Sequence, residues 1–205
     1  PLGTSQPVPC AVGRYSRGGA KTANECPRCS SGSFANATGM KACTQCAAGT
    51  FQDKEGELSC KPCTAGSYCK EGAAAALACP GGSHSRSTSL TRSEECTPTS
   101  VGHFAPTGSI DQAPCSAGTV QPADKQPTCD KCGAGKFMNE SGRTECHVCV
   151  PGSYCPEGAS APLSCGEGTH SNRTDLGAAA DCTGTDAGHF SPAGSTEQTE
   201  CSPGT

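Results

Sequence analysis

One short phrase recurs along the whole chain and limits what it can fold into. A Cys is followed after two residues by Gly, and after one more usually by an aromatic residue or His. It begins at Cys10, Cys29, Cys46, Cys63, Cys79, Cys115, Cys132, Cys149, Cys165 and Cys201, with Thr99 and Thr185 opening two further copies in place of Cys. From Cys29 the steps between openings are 17, 17, 16, 20 and 16 residues, and from Cys115 the same five steps follow. Residues 29–114 therefore match 115–200 without a gap, and 37 of those 86 positions are identical. Eighteen of the nineteen cysteines obey the 86-residue period, and Cys26 alone does not. A period of this kind marks a tandem array of small units that share one backbone plan.

Such an array has little oil to fold around. Leu, Ile, Val and Phe together fill 18 of 205 positions, and there is no Trp. A Rossmann domain, a barrel enzyme or a helix bundle needs far more large apolar side chain than this. Regular cysteine spacing equally argues against a disordered linker. The expected class is a small disulfide-rich β fold, an elongated tandem array of cysteine-stapled hairpins of 16–20 residues with little or no helix. The Gly of each phrase suits a tight turn or a positive φ, and the aromatic suits a lid over the neighbouring disulfide. The expected layout is a lead-in over 1–9, one cysteine-rich unit over 10–28, super-repeats over 29–114 and 115–200, and the start of a further unit over 201–205. The chain reads as a fragment of something longer.

The simplest pairing closes each unit on itself: Cys10–Cys26, Cys29–Cys43, Cys46–Cys60, Cys79–Cys96, Cys115–Cys129, Cys132–Cys146 and Cys165–Cys182. The units at Cys63 and Cys149 lack a closing Cys but carry an extra one after their Tyr, which leaves Cys63–Cys69 and Cys149–Cys155. A crossed scheme, Cys63–Cys79 with Cys69–Cys96, and its counterpart among Cys149, Cys155, Cys165 and Cys182, stays open, because spacing alone does not fix connectivity. The within-unit scheme draws support from joint losses. Thr99 opens a unit whose closing position is Gln112, and Thr185 one whose closing position is Gln198. Cys201 is then left open, as expected if the chain continues. The competing reading is a zinc site at Cys26, Cys29, Cys43 and Cys46. The overlapping ladder of C-x-x-C steps opposes closed sets of four ligands.

The two staple-less units repeat Gly102-His103-Phe104 as Gly188-His189-Phe190. They read either as hairpins held by Phe and Pro in place of a disulfide, or as a hinge or lateral contact recurring once per super-repeat, with Thr99, His103, Phe104, Gln112, Thr185, His189, Phe190 and Gln198 as its residues. Three N-x-S/T sequons, at Asn36, Asn139 and Asn172, each lie seven residues after an opening Cys. They are the expected N-glycan acceptors of a secreted chain, and abundant Ser, Thr and Pro leave room for O-linked sugar.

The phrase C-x-x-G-[ST]-[FY], with about thirteen residues to the next C-x-x-C, resembles the ephrin-receptor-like cysteine-rich repeat. It is more distantly similar to tumour-necrosis-factor-receptor modules. The variant Pro151-Gly-Ser-Tyr-Cys155-Pro-Glu-Gly resembles repeats in very large surface proteins of algae and other protists. The resemblance runs over nearly the whole chain from Cys10. It implies an extracellular, disulfide-linked fold, and it spans receptors, adhesins and matrix proteins alike.

A net charge of −4 with no basic run argues against nucleic acid or anionic lipid as partner. No apolar stretch is long enough to span a membrane. No nucleophile–base set, phosphate loop or paired carboxylates suggests catalysis, and no cofactor or metal is expected. The functional expectation is a non-enzymatic rod, stalk or filament segment outside the cell, partnered by copies of itself and by its own glycans. The alternative is a ligand-binding or adhesive receptor ectodomain. A reduced zinc protein is the third.

Overall fold

The computed structural model describes residues 7–18, 20–202 and 204. It divides into two compact units, one of Pro1–Pro98 with Pro106–Asp111, the other of Thr99–Ala105 with Gln112–Thr205. Both are stacks of short antiparallel hairpins. Among the described residues the only helical turns are three short 3-10 segments, Ala23–Glu25, Ser93–Glu95 and Ala179–Asp181.

Each hairpin has two-residue strands set by the phrase. In the first unit Ser33–Phe34 pairs with Thr44–Gln45, Thr50–Phe51 with Lys61–Pro62, Ser67–Tyr68 with Leu77–Ala78, and Ser83–His84 with Thr97–Pro98. In the second, His103–Phe104 pairs with Ala113–Pro114, Thr119–Val120 with Asp130–Lys131, and Lys136–Phe137 with His147–Val148. Ser153–Tyr154 then pairs with Leu163–Ser164, Thr169–His170 with Thr183–Gly184, and His189–Phe190 with Thr199–Glu200. This explains the C-x-x-C spacing. The two residues between the cysteines are the returning strand, bracketed by the closing Cys of one hairpin and the opening Cys of the next.

Nine disulfides staple the hairpins: Cys10–Cys26, Cys29–Cys43, Cys46–Cys60, Cys63–Cys69, Cys79–Cys96, Cys115–Cys129, Cys132–Cys146, Cys149–Cys155 and Cys165–Cys182. Their Cα–Cα separations of 5.7–6.0 Å lie in the range that a disulfide spans. The sulfurs of Cys26, Cys29, Cys43 and Cys46 thus belong to three different disulfides. Cys201 is free and exposed.

Main-chain hydrogen bonds join one hairpin to the next. At the joint of the Cys29 and Cys46 hairpins, Gly32 N–H donates to Gln52 O (2.7 Å) and Cys46 N–H to Gly32 O (2.9 Å). Ala35 N–H donates to Glu57 O (3.1 Å) and Gly56 N–H to Cys29 O (2.8 Å). At the joint of the Cys115 and Cys132 hairpins in the second unit the same four bonds recur. Gly118 donates to Met138 O (2.7 Å), Cys132 to Gly118 O (2.9 Å), Gln121 to Arg143 O (3.0 Å) and Gly142 to Cys115 O (2.8 Å). Backbone groups that short strands leave unpaired are satisfied in this way by the neighbouring hairpin, which is why one hairpin does not stand alone.

The stack is tighter than nearest-neighbour pairing requires. The phrase Gly of one hairpin abuts the turn of the hairpin two further on. A Cβ on Gly32 would stand 2.2 Å from Gly72 O, one on Gly66 2.3 Å from Gly108 O, and one on Gly118 2.2 Å from Gly158 O. These glycines also hold φ of +75° to +86°. Two independent reasons therefore demand Gly at the position.

The interior is chiefly sulfur and small side chains, with Met138, Leu176 and Gln52 the largest fully buried exceptions. Cys29, Cys46, Cys69, Cys79, Cys115, Cys132, Cys155 and Cys165 are fully buried. The phrase aromatics Phe34, Phe51, Tyr68, Phe104, Phe137 and Tyr154 are only half-buried. The sealed position is the next residue: Ala35, Gln52, Cys69, Ser85, Ala105, Gln121, Met138, Cys155, Ser171 and Ser191. Where it is Gln, the amide satisfies its own turn. Gln52 Nε2 donates to Ser59 O (2.7 Å) while its Oε1 accepts from Lys54 N–H (3.1 Å), and Gln121 does the same with Thr128 O (2.9 Å) and Ala123 N–H (3.1 Å). A buried amide is tolerated only with such partners.

The three 3-10 turns occupy the longer hairpins, just before the closing Cys. In each an acid at the last position caps the loop. Glu25 accepts from Lys21 N–H (2.9 Å), Glu95 from Thr91 N–H (2.8 Å) and Asp181 from Gly177 N–H (3.0 Å).

Candidate contact and modification sites

The two hairpins without a staple replace it with a glutamine. Gln112 stands where a closing Cys would be, three residues before Cys115. Its Oε1 accepts from Ser100 N–H (2.8 Å), and its Nε2 donates to Ser100 Oγ (2.9 Å). Gln198 repeats this on Asp186, accepting from its N–H (2.9 Å) and donating to Oδ2 (2.8 Å). The amide thus ties the closing position to the residue after the opening Thr. Thr99 is buried, its Oγ1 accepting from Gln126 N–H (3.0 Å) and its carbonyl from Lys125 N–H (3.1 Å). Thr185 Oγ1 and Ser191 Oγ are buried with no partner among the described residues.

The other residues of these hairpins do not gather into a site. His103 Nδ1 lies 3.1 Å from Val101 O, and His189 Nδ1 3.4 Å from Ala187 O, each within its own turn. Phe104 is half-buried on its strand, whereas Phe190 is exposed. Restoring the sulfur tests the assignment of the glutamine. Thr99→Cys with Gln112→Cys is expected to form a tenth disulfide and to stabilise the fold by about 2–3 kcal/mol. Mass spectrometry of non-reduced peptides and the denaturant midpoint read both; free thiols at both 99 and 112, beside that of Cys201, in the folded protein would show that 112 is not a staple position.

The three sequon asparagines are exposed, as are the hydroxyl residues two places on, Thr38, Ser141 and Thr174. Each follows the sealed position of its hairpin, Ala35, Met138 or Ser171. Surface charge elsewhere is paired in small local sets. Arg86 donates two hydrogen bonds to Asp111 (2.6 and 2.8 Å) and holds its carboxyl below the usual carboxylate range. Lys61 donates one hydrogen bond to Asp53 (2.6 Å), which likewise lowers that carboxyl, and lies 5.8 Å from the centre of the Phe51 ring across the strand pair. Exposed pairs of this kind add little stability. Among the described residues no three His, Cys, Asp or Glu side chains converge on a metal position, and no helix is long and apolar enough to cross a membrane.

These features define a class, a tandem β-array stapled by disulfides whose hairpins share one main-chain joint. Residues 32–76 match the family described as tyrosine-protein kinase ephrin type A/B receptor-like. That stretch, from Gly32 through the Cys63–Cys69 bridge to Ala76, is similar to an ephrin-receptor-like cysteine-rich repeat. No curated protein matches the chain.

Proposed function

We propose that the chain is a non-enzymatic structural segment of a long, extracellular, glycan-bearing repeat protein that forms a rod, stalk or filament with copies of itself. The observation that supports this is the joint. The Cys29/Cys46 contact and the Cys115/Cys132 contact use the same four main-chain hydrogen bonds, one super-repeat apart. Repetition of a single contact is what regular growth of an array requires. Nine disulfides fit an oxidising compartment. The staple-less hairpins at Thr99 and Thr185 are where such an array would flex or meet a neighbour, since an amide clamp opens more readily than a covalent bridge.

A second reading, a ligand-binding or adhesive ectodomain, has one observation in its favour. Val148 and Val150 are about half exposed in the second unit, and at the matching positions of the first the sequence has Pro62 and Thr64. Apolar surface confined to one copy is what a binding face would show. Electron microscopy of the native material separates the two. Fibres with an axial spacing set by one super-repeat are expected, and isolated monomers carrying a soluble ligand would overturn the structural role.

A further inference from the structure

We propose that Asn139 and Asn172 carry N-linked glycans on alternate hairpins of the second unit, with Asn36 as the single acceptor of the first. The inference rests on the extracellular reading above and deepens it by naming the decorated positions. The chain has four asparagines, and three of them open an N-x-S/T sequon. Ser and Thr fill 44 of 205 positions, so a randomly placed Asn would open one about once in five.

Structure narrows the argument. All three lie at the same hairpin position, directly after the sealed residue and at the beginning of the exposed turn. None of the three amides is engaged in a side-chain hydrogen bond among the described residues, unlike the buried glutamines one position earlier. An acceptor amide that holds no structural contact is free to take a glycosyl group from a diphosphate-linked oligosaccharide donor: the amide nitrogen gives up one proton and bonds to the anomeric carbon as that carbon's bond to the diphosphate breaks and the diphosphate leaves, and an exposed turn has room for the sugar. In the second unit this position reads Pro122, Asn139, Pro156, Asn172 and Pro192 along successive hairpins. Every second hairpin offers an acceptor, and those between offer a proline, which has no side-chain amide. The Cys132 and Cys165 hairpins that bear Asn139 and Asn172 also approach each other directly, a Cβ on Gly135 lying 2.6 Å from Asp175 O. The two sugars would therefore decorate hairpins in mutual contact.

The experiment is secretion of the chain behind a leader from eukaryotic cells, followed by peptide mapping after enzymatic deglycosylation in heavy-oxygen water. Labelled aspartate is expected at 36, 139 and 172 and at no other position. Asn36→Gln, Asn139→Gln and Asn172→Gln are each expected to remove one step of the gel ladder without changing the thiol count. A grafted sequon, Asp53→Asn with Glu55→Thr, places an acceptor at the same position of the Cys46 hairpin and should add a fourth step. Unmodified asparagine in secreted, fully disulfide-bonded protein would overturn the proposal and leave the structural reading standing. Free thiols throughout the secreted chain would overturn the extracellular reading instead.

Discussion

Reduction of the disulfides is expected to unfold this protein at room temperature, at neutral pH and without denaturant. Seven of the nine bridges close loops with sequence separations of 14–17 residues. Each such closure is worth about 3 kcal/mol in the chain-entropy model. Together they exceed the roughly 5–15 kcal/mol of net stability typical of a domain. Among the described residues little apolar interior exists to take over, because the fully buried side chains are chiefly the cysteines themselves. Reductant has a way in. Five of the closing partners, Cys43, Cys60, Cys129, Cys146 and Cys182, are half-buried, whereas the opening ones are sealed. Amide exchange and circular dichroism before and after reduction, with a thiol count, provide the measurement. Retention of native exchange protection by the fully reduced chain would show that something other than sulfur holds the hairpins.

Gly118→Ala is expected to be among the most damaging single substitutions outside the cysteines. The methyl group would lie 2.2 Å from Gly158 O and 3.1 Å from its carbonyl carbon, both main-chain atoms fixed by the hydrogen bond from Gly158 N–H to Cys132 O. The φ of +86° adds strain for any side chain. The hairpin two steps on must move, and the joints it shares must open, for a loss of about 3 kcal/mol or more. Gly133 is the control. A Cβ there meets nothing within 4 Å, so Gly133→Ala should stay within about 0.5 kcal/mol of the parent. Urea midpoints of the two oxidised variants give the comparison; equal midpoints would remove the second-neighbour contact from the account of stability.

Much of this fold is written where sulfur and glycine leave no choice. The C-x-x-C steps set hairpin length, and the disappearance of Cys at 99 and 112 together makes sense once the structure ties 112 back to residue 100 by an amide. What stays hidden is the residue after each aromatic. Ala35, Gln52, Cys69 and Met138 share no chemical type, because the place is defined by closure of a neighbouring turn over it rather than by apolarity. The second-neighbour contact is hidden too. A glycine looks the same whether it serves a turn or makes way for a distant carbonyl, and a contact two hairpins away leaves no period of its own in the sequence. The 3-10 turns did leave a trace, an acid directly before the closing Cys at Glu25, Glu95 and Asp181. The staple-less hairpins had one as well, a glutamine three residues before the next opening cysteine. Such signs are short and polar, and hydrophobic patterning is blind to them.

Because amides and carbonyls make the joints, outward-facing side chains carry no obligation to the architecture. A hairpin can be copied, inserted in register and repainted on its exterior without any seam being recut, so long as its sulfurs and its one crowded glycine survive. That freedom accounts for two super-repeats that agree at fewer than half their positions yet share the same bonds at their corresponding joints.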